Sequence, residues 1–174
     1  MSCLSAEAVR GPLARAAEAL ALAGGVGLLA VTAVTSWNAG AFAADRLLPG
    51  DVAGLPGYED FVGLVTGASV LLFFPYCQLV RGHVAVELFV GALPARVTAG
   101  LDRLWLGVTA VAAAFLAVWL GSGARETRAD NTLSPILGWP EWPFLIPGVV
   151  ALALWALIAA EQCRRAGRAP SNGS

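Results

Sequence analysis

Four stretches of the chain carry no Asp, Glu, Lys, Arg or His and are long enough to cross a bilayer: Ala19 to Ala44, Phe61 to Val80, Leu104 to Ala124, and Trp142 to Ala160. A hydrocarbon core about 30 Å thick needs about 20 apolar residues at a rise of about 1.5 Å each. Only the first stretch has length to spare for tilt or an irregular end. The pattern predicts an all-α membrane protein with four transmembrane helices, over roughly 16–38, 59–80, 104–124 and 143–161. None of the stretches holds an ionisable side chain at its centre. Pumps, proton relays and coupled carriers usually place one there despite a cost of about 2.5 to 3.5 kcal/mol.

Composition agrees. Hydrophobic residues make up 57% of the 174 and charged ones 13%, against a soluble norm of about 25% charged. Mean hydropathy is +0.70, so the apolar surface exceeds what one water-soluble core can hide. Loops and tails are short, which leaves 1–174 as a single membrane domain without a separate soluble catalytic unit. Lipid is the expected solvent. A net charge of -1 gives no reason to expect a nucleic-acid partner.

The placement of charge says more than its sum. All 11 basic residues are Arg. With the N-terminus in the cytoplasm, the inner side takes Arg10, Arg15, Arg81, Arg96, Arg103, Arg164, Arg165 and Arg168, and the outer side keeps Arg46, Arg125 and Arg128. That asymmetry follows the positive-inside rule and predicts both termini in the cytoplasm. Arg10 and Arg15 precede an apolar run ending at Ala41-Phe42-Ala43, which has the look of a cleavage site. The run exceeds the 7 to 15 residues or so of a signal h-region, so an uncleaved first span is expected. Cys3, Cys77 and Cys163 form no C-x-x-C pair, which argues against a structural disulfide or metal site and leaves Cys77 as a packing residue.

Along the chain, Asn38 and Gly40 suggest a break at the outer end of the first span, and Pro49, Gly50, Gly54, Pro56 and Gly57 resist helix. Glu59 and Asp60 open the second span. Within it, Gly63 and Gly67 form G-x-x-x-G, a spacing that lets another helix approach closely. Pro75 removes a backbone hydrogen bond near its end. From 82 to 102, Val86, Phe89, Val90, Leu93, Val97 and Leu101 recur at three- and four-residue spacing. This predicts a cytoplasmic interfacial helical arm between spans 2 and 3, with Glu87, Arg96 and Asp102 in water. Trp139 and Trp142 mark an interfacial belt before the last span, where an indole keeps its N–H wet. The tail, 164–174, is polar and expected to be disordered.

Chemistry has little to work with. His83 is the only histidine, so paired-His haem ligation cannot be built from this chain. No serine or cysteine has a neighbouring base, and no carboxylate pair sits within a span. The expectation is no catalytic residue, no cofactor and no metal. Inverted repeats and broken helices, the signature of secondary carriers, are missing as well. A membrane protein without an internal polar site most simply packs against a larger partner that has one. The alternative is a membrane anchor subunit of a redox complex.

Three segments narrow the choice: G-Y-E-D-F-V at 57–62, F-P-Y-C-Q-L-V-R-G-H-V-A-V-E-L-F-V at 74–90 with L-P at 93–94, and L-S-P-I-L-G-W-P-E-W-P at 133–143. Together they resemble the small, four-span, Q-type permease subunit of tripartite ATP-independent periplasmic (TRAP) transporters. The acidic opening of span 2 corresponds to Glu59, and the motif before the arm to Arg81, Gly82, His83, Val84, Val86, Glu87, Leu88 and Phe89. Glu87 stands where Asp is more usual, and Trp37-Asn38 stands where members often carry Arg. The resemblance implies a three-part machine in the bacterial inner membrane, performing secondary active, sodium-coupled symport of an organic acid. Its partners would be a large TRAP permease subunit, a periplasmic substrate-binding protein and the lipid bilayer. This chain would be the scaffold and not the carrier. The residues implied are Gly63 and Gly67 for helix packing, Glu59 for an outer contact, and Arg81, His83 and Glu87 for holding the arm.

Overall fold

The computed structural model describes residues 11–47, 54–80 and 95–167. Four helices run through them: α1 Pro12–Leu47, α2 Tyr58–Leu79, α3 Ala95–Ala129 and α4 Trp142–Ala166. Each is long and apolar enough to cross a membrane. At 36 and 35 residues, α1 and α3 reach about 50 Å at the α-helical rise, well beyond a hydrocarbon core of about 30 Å. Their charged ends, such as Arg15 and Arg46 on α1 or Asp102 and Arg128 on α3, therefore have room to stand outside it.

Local chemistry sets the ends. Pro12 opens α1, and Pro143 falls in the first turn of α4, where a missing N–H costs nothing. Gly57 enters α2 with φ 77°, a left-handed conformation that glycine adopts freely. Hydroxyls inside the helices bond back to carbonyls one turn earlier, Thr32 to Leu28 and Thr127 to Gly123, both at 2.8 Å. For Thr32, within the charge-free stretch of α1, such internal pairing is what a segment without water requires. α1 passes straight through Asn38 and Gly40, where the sequence suggested a break. Asn38 is 1% exposed, and its side chain donates to the Val34 carbonyl at 3.0 Å, leaving the helical backbone intact.

The helices form an open row and not a closed bundle. α2 packs on α1 and α4, and α3 packs on α4, which gives the spatial order α1, α2, α4, α3, with a minor contact between α1 and α4. In the most apolar window of each helix, 33% of residues are buried for α4 and 22% for α2, against 11% for α3 and 6% for α1. The last two are edges. A small core of Ala17, Leu154 and Ile158 joins α1 to α4 at one end, while Trp37, Trp105, Phe115 and Trp119 remain exposed.

Small residues seat the row. A β-carbon at Gly24 would lie 2.9 Å from the Ser69 carbonyl oxygen and 3.1 Å from Leu72 Cβ, and one at Gly27 would collide with Ser69 Oγ. On α4, Gly148 makes space for Leu71, whose Cδ1 would be 2.6 Å from an added β-carbon. At Gly63 and Gly67 nothing within 4 Å would meet a β-carbon, so the G-x-x-x-G spacing faces open space. We expect Gly24→Ala to be less stable than Gly63→Ala by about 1 to 2 kcal/mol, because both gain the same helix propensity and only the first overpacks. Unfolding of the two variants in the same detergent measures the difference.

Of the expected arm at 82–102, residues from Ala95 onward form the opening turns of α3. Residues 82–94, with His83, Glu87 and Pro94, lie outside the described residues, as does Arg81. α4 continues to Ala166, so the first residues of the expected tail are helical.

Candidate functional site

Two polar constructions hold the row, one at each end. At the first, Leu133 and Pro140 form an isolated antiparallel bridge around a tight turn. The Ser134 N–H donates to the Trp139 carbonyl at 2.8 Å, and its Oγ accepts the Trp139 N–H at 3.1 Å. Gly138 takes φ 63° and donates its N–H to the Ser134 carbonyl. Ser134 is buried by this arrangement.

Asp60 then latches the turn to α2. Its Oδ2 accepts the N–H of Ile136 at 2.8 Å and that of Leu137 at 2.9 Å. Successive N–H groups aimed at one carboxylate make a small anion-binding nest. The approach requires Gly57, since a β-carbon there would sit 2.7 Å from Leu137 Cγ. Aromatic rings close the same end. Trp139 meets Phe61 edge-on at 6.5 Å and lies parallel to Phe144 at 6.3 Å, and the Arg128 guanidinium sits 5.0 Å over the Trp142 ring. Asn38 adds the tie to α1, its Oδ1 accepting the Leu55 N–H at 2.8 Å.

The second construction lies at the opposite end, where α2 meets α4. Gln78 Nε2 donates to Gln162 Oε1 at 2.8 Å, and Gln162 Nε2 donates to the Gln78 carbonyl at 3.1 Å. Trp155 Nε1 donates to Gln78 Oε1 at 3.1 Å, and its ring stacks on Phe74 at 4.9 Å. Both glutamines are buried. The Gln78 carbonyl belongs to the last turn of α2, where carbonyls run short of intrahelical donors. Gln162 adds a side-chain donor to it. Among the described residues, no buried side-chain nitrogen or oxygen lacks a hydrogen-bond partner, so these polar groups are occupied in holding helices together.

The comparison with known families decides what kind of molecule uses this frame. Residues 52–168 match the family described as Tripartite ATP-independent periplasmic transporters, DctQ component. The chain belongs to that family. It is the small permease component of a TRAP transporter. No curated protein and no solved structure gave a significant match. The DctQ match covers α2, α3, α4 and the latched turn, while α1 precedes it. Asn38 is thus a bond from α1 to the matched region. DctQ is a transporter-component family and not an enzyme family, which suits a frame whose polar groups serve structure.

The sequence-predicted residues are dispersed over this DctQ component. Glu59 is exposed one position before the latch, and Gly63 and Gly67 continue its exposed side of α2. Trp139 and Trp142 stand together at the turn end. Asp60, Ser134 and Asn38 were not singled out for the roles they play, and neither were Gln78 and Gln162. The available signals were the Pro- and Gly-bounded L-S-P-I-L-G-W-P segment and two neutral amides close to span ends.

Proposed function

We propose that this subunit is a static scaffold for the large permease of a sodium-coupled symporter, which takes up an organic acid delivered by a periplasmic binding protein across the bacterial inner membrane. The observation that carries the reading is the open row. Its α1 edge buries almost nothing inside the chain, and the glycine pair of α2 is left uncovered. Such surfaces suit a broad partner in the bilayer. The uncharged span centres support a supporting role over a carrying one.

In this reading both termini are cytoplasmic and the latched turn is periplasmic. Gly63 and Gly67 admit a helix of the permease, and Glu59 makes a contact at the outer surface. Arg81, His83 and Glu87 hold an interfacial arm against the cytoplasmic headgroups, while Trp139 and Trp142 sit at the outer interface. Mild-detergent affinity purification of the tagged chain from its native host, followed by mass spectrometry and an absorbance scan, tests the whole. A stoichiometric polytopic permease is the expected companion; a soluble oxidoreductase or a chromophore would overturn the reading. In the same assay Glu59→Gln and His83→Ala should lower the yield of complex without altering substrate preference. A changed preference with normal assembly would refute the scaffold role.

A further inference from the structure

We infer that the α3 edge carries a binding site for an anionic phospholipid, with an acyl chain along the helix and the phosphate on Arg103. An open groove of about 890 Å³ follows α3 past Gly100, Leu104, Gly107, Val108, Val111 and Phe115. Its walls are hydrocarbon apart from Arg103 and the sulfur of Cys163. Two glycines two turns apart hollow it, since nothing would meet a β-carbon at Gly100 and only Cys163 Sγ, at 3.9 Å, would meet one at Gly107. From Gly100 to Phe115 the helix rises about 22 Å. One leaflet contributes about 15 Å of a hydrocarbon core about 30 Å thick, so a chain can lie in the groove with its headgroup still at the surface.

The charge at the mouth selects the occupant. The Arg103 guanidinium is packed against Gly167 at the end of α4, where a β-carbon would be 2.8 Å from Arg103 Cζ. Arg164 and Arg165 stand at the same end but are held by Glu161 at 3.2 and 2.8 Å. Among the described residues Arg103 has no acidic partner. Trp105, exposed two positions on, is the ring type that settles at headgroup level. A protein helix laid along this stripe would bury an uncompensated guanidinium, which is costly. A phospholipid instead brings its own anion to the level where Arg103 stands.

The inference rests on the helices spanning a bilayer and not on the identity of the transport partner. Native mass spectrometry of the purified full chain, titrated with phosphatidylglycerol or phosphatidylcholine of equal chain length, tests it. Retention should favour phosphatidylglycerol. Arg103→Ala should weaken that lipid about fivefold to tenfold, Arg103→Lys should largely keep it, and Arg15→Ala, a charge removed elsewhere, should change it little. Gly107→Leu, which fills the groove, should weaken both lipids. Equal retention of the two lipids, or equal behaviour of Arg103→Ala and Arg15→Ala, would overturn the proposal. Should Arg103→Ala lose its helical signal, Arg103→Gln takes its place. A photo-crosslinker at Val108 in the assembled transporter should label phospholipid, and a protein adduct there would also overturn it.

Discussion

Gln162→Met is expected to destabilise the isolated subunit by about 2 to 3 kcal/mol, since both buried hydrogen bonds that Gln162 makes to Gln78 are lost in one substitution. Gln78 Nε2 loses the Gln162 oxygen, and the Gln78 main-chain carbonyl loses the Gln162 amide. An orphaned buried polar group costs about 1 to 3 kcal/mol, although single bonds between membrane helices average nearer 0.6. Methionine keeps the length and volume, so the loss reports hydrogen bonding and not a cavity. Gln78→Met should lose a comparable amount, because it strands the Gln162 oxygen and the Trp155 N–H. The double variant should lose clearly less than the sum, as apolar side chains then face one another. Trp155→Phe should be the mildest, about 1 kcal/mol or less, because it keeps a ring on Phe74 and removes only one donor. Reversible unfolding in one detergent, read as a double-mutant cycle, checks this. Strict additivity, or single losses below about 0.5 kcal/mol, would mean that the amides merely coincide in space.

That pair matters to the subunit's shape. In a row, the α3–α4 half is attached to the α1–α2 half chiefly through the α2–α4 seam, with a minor α1–α4 contact beside it. Apolar packing alone is a weak guide between helices in lipid, because lipid tails compete equally well for the same surface. Directional bonds at both ends of the seam fix the register and the angle. The glutamines do this at one end, and Asp60 with its turn does it at the other. A row whose seam is fixed at both ends holds one shape, which the scaffold role proposed above requires.

The spans were legible because exclusion of charge over about 20 residues has few other causes. The family was legible because its signature falls at 57–62, 74–94 and 133–143, all within the matched residues. The fixing bonds were not legible, for a physical reason. Gln78 and Gln162 are 84 residues apart and uncharged, so each alone reads as a polar residue near a membrane surface. Asp60 at a helix start is fully accounted for by the helix dipole, and nothing local announces a turn 76 residues onward. Asn38 read as a breaker because its side chain competes with backbone bonds. It does form such a bond, to Val34, but within an unbroken helix, and its second bond reaches Leu55. G-x-x-x-G at Gly63 and Gly67 was legible as a motif, yet within this chain the close approaches fall to Gly24, Gly27 and Gly148. Spacing reveals where a backbone can be approached and leaves open which helix comes.

Asp60→Ala should release the turn while leaving the spans in place. The Ile136 and Leu137 N–H groups lose their common acceptor, and Ile136 is already exposed. Hydrogen exchange at these two amides is expected to accelerate by about an order of magnitude or more, because protection of a surface turn reports local opening. The Ser134 N–H, which is bonded to Trp139, should change less. Asp60→Asn keeps an acceptor oxygen without the charge and should fall between the two, since hydrogen bonds to ionised acceptors are about twice as strong. Loosening should also reach the Trp139 emission spectrum as its edge contact with Phe61 is lost. Unchanged exchange in Asp60→Ala would show that Ser134 and the rings suffice to hold the turn. The same variant separates the two ends of the scaffold. The α2–α4 glutamine pair is untouched by it, so co-purification with the large permease should persist. If the latched turn forms part of the surface that receives the binding protein, delivery of substrate should fall in that assembled complex.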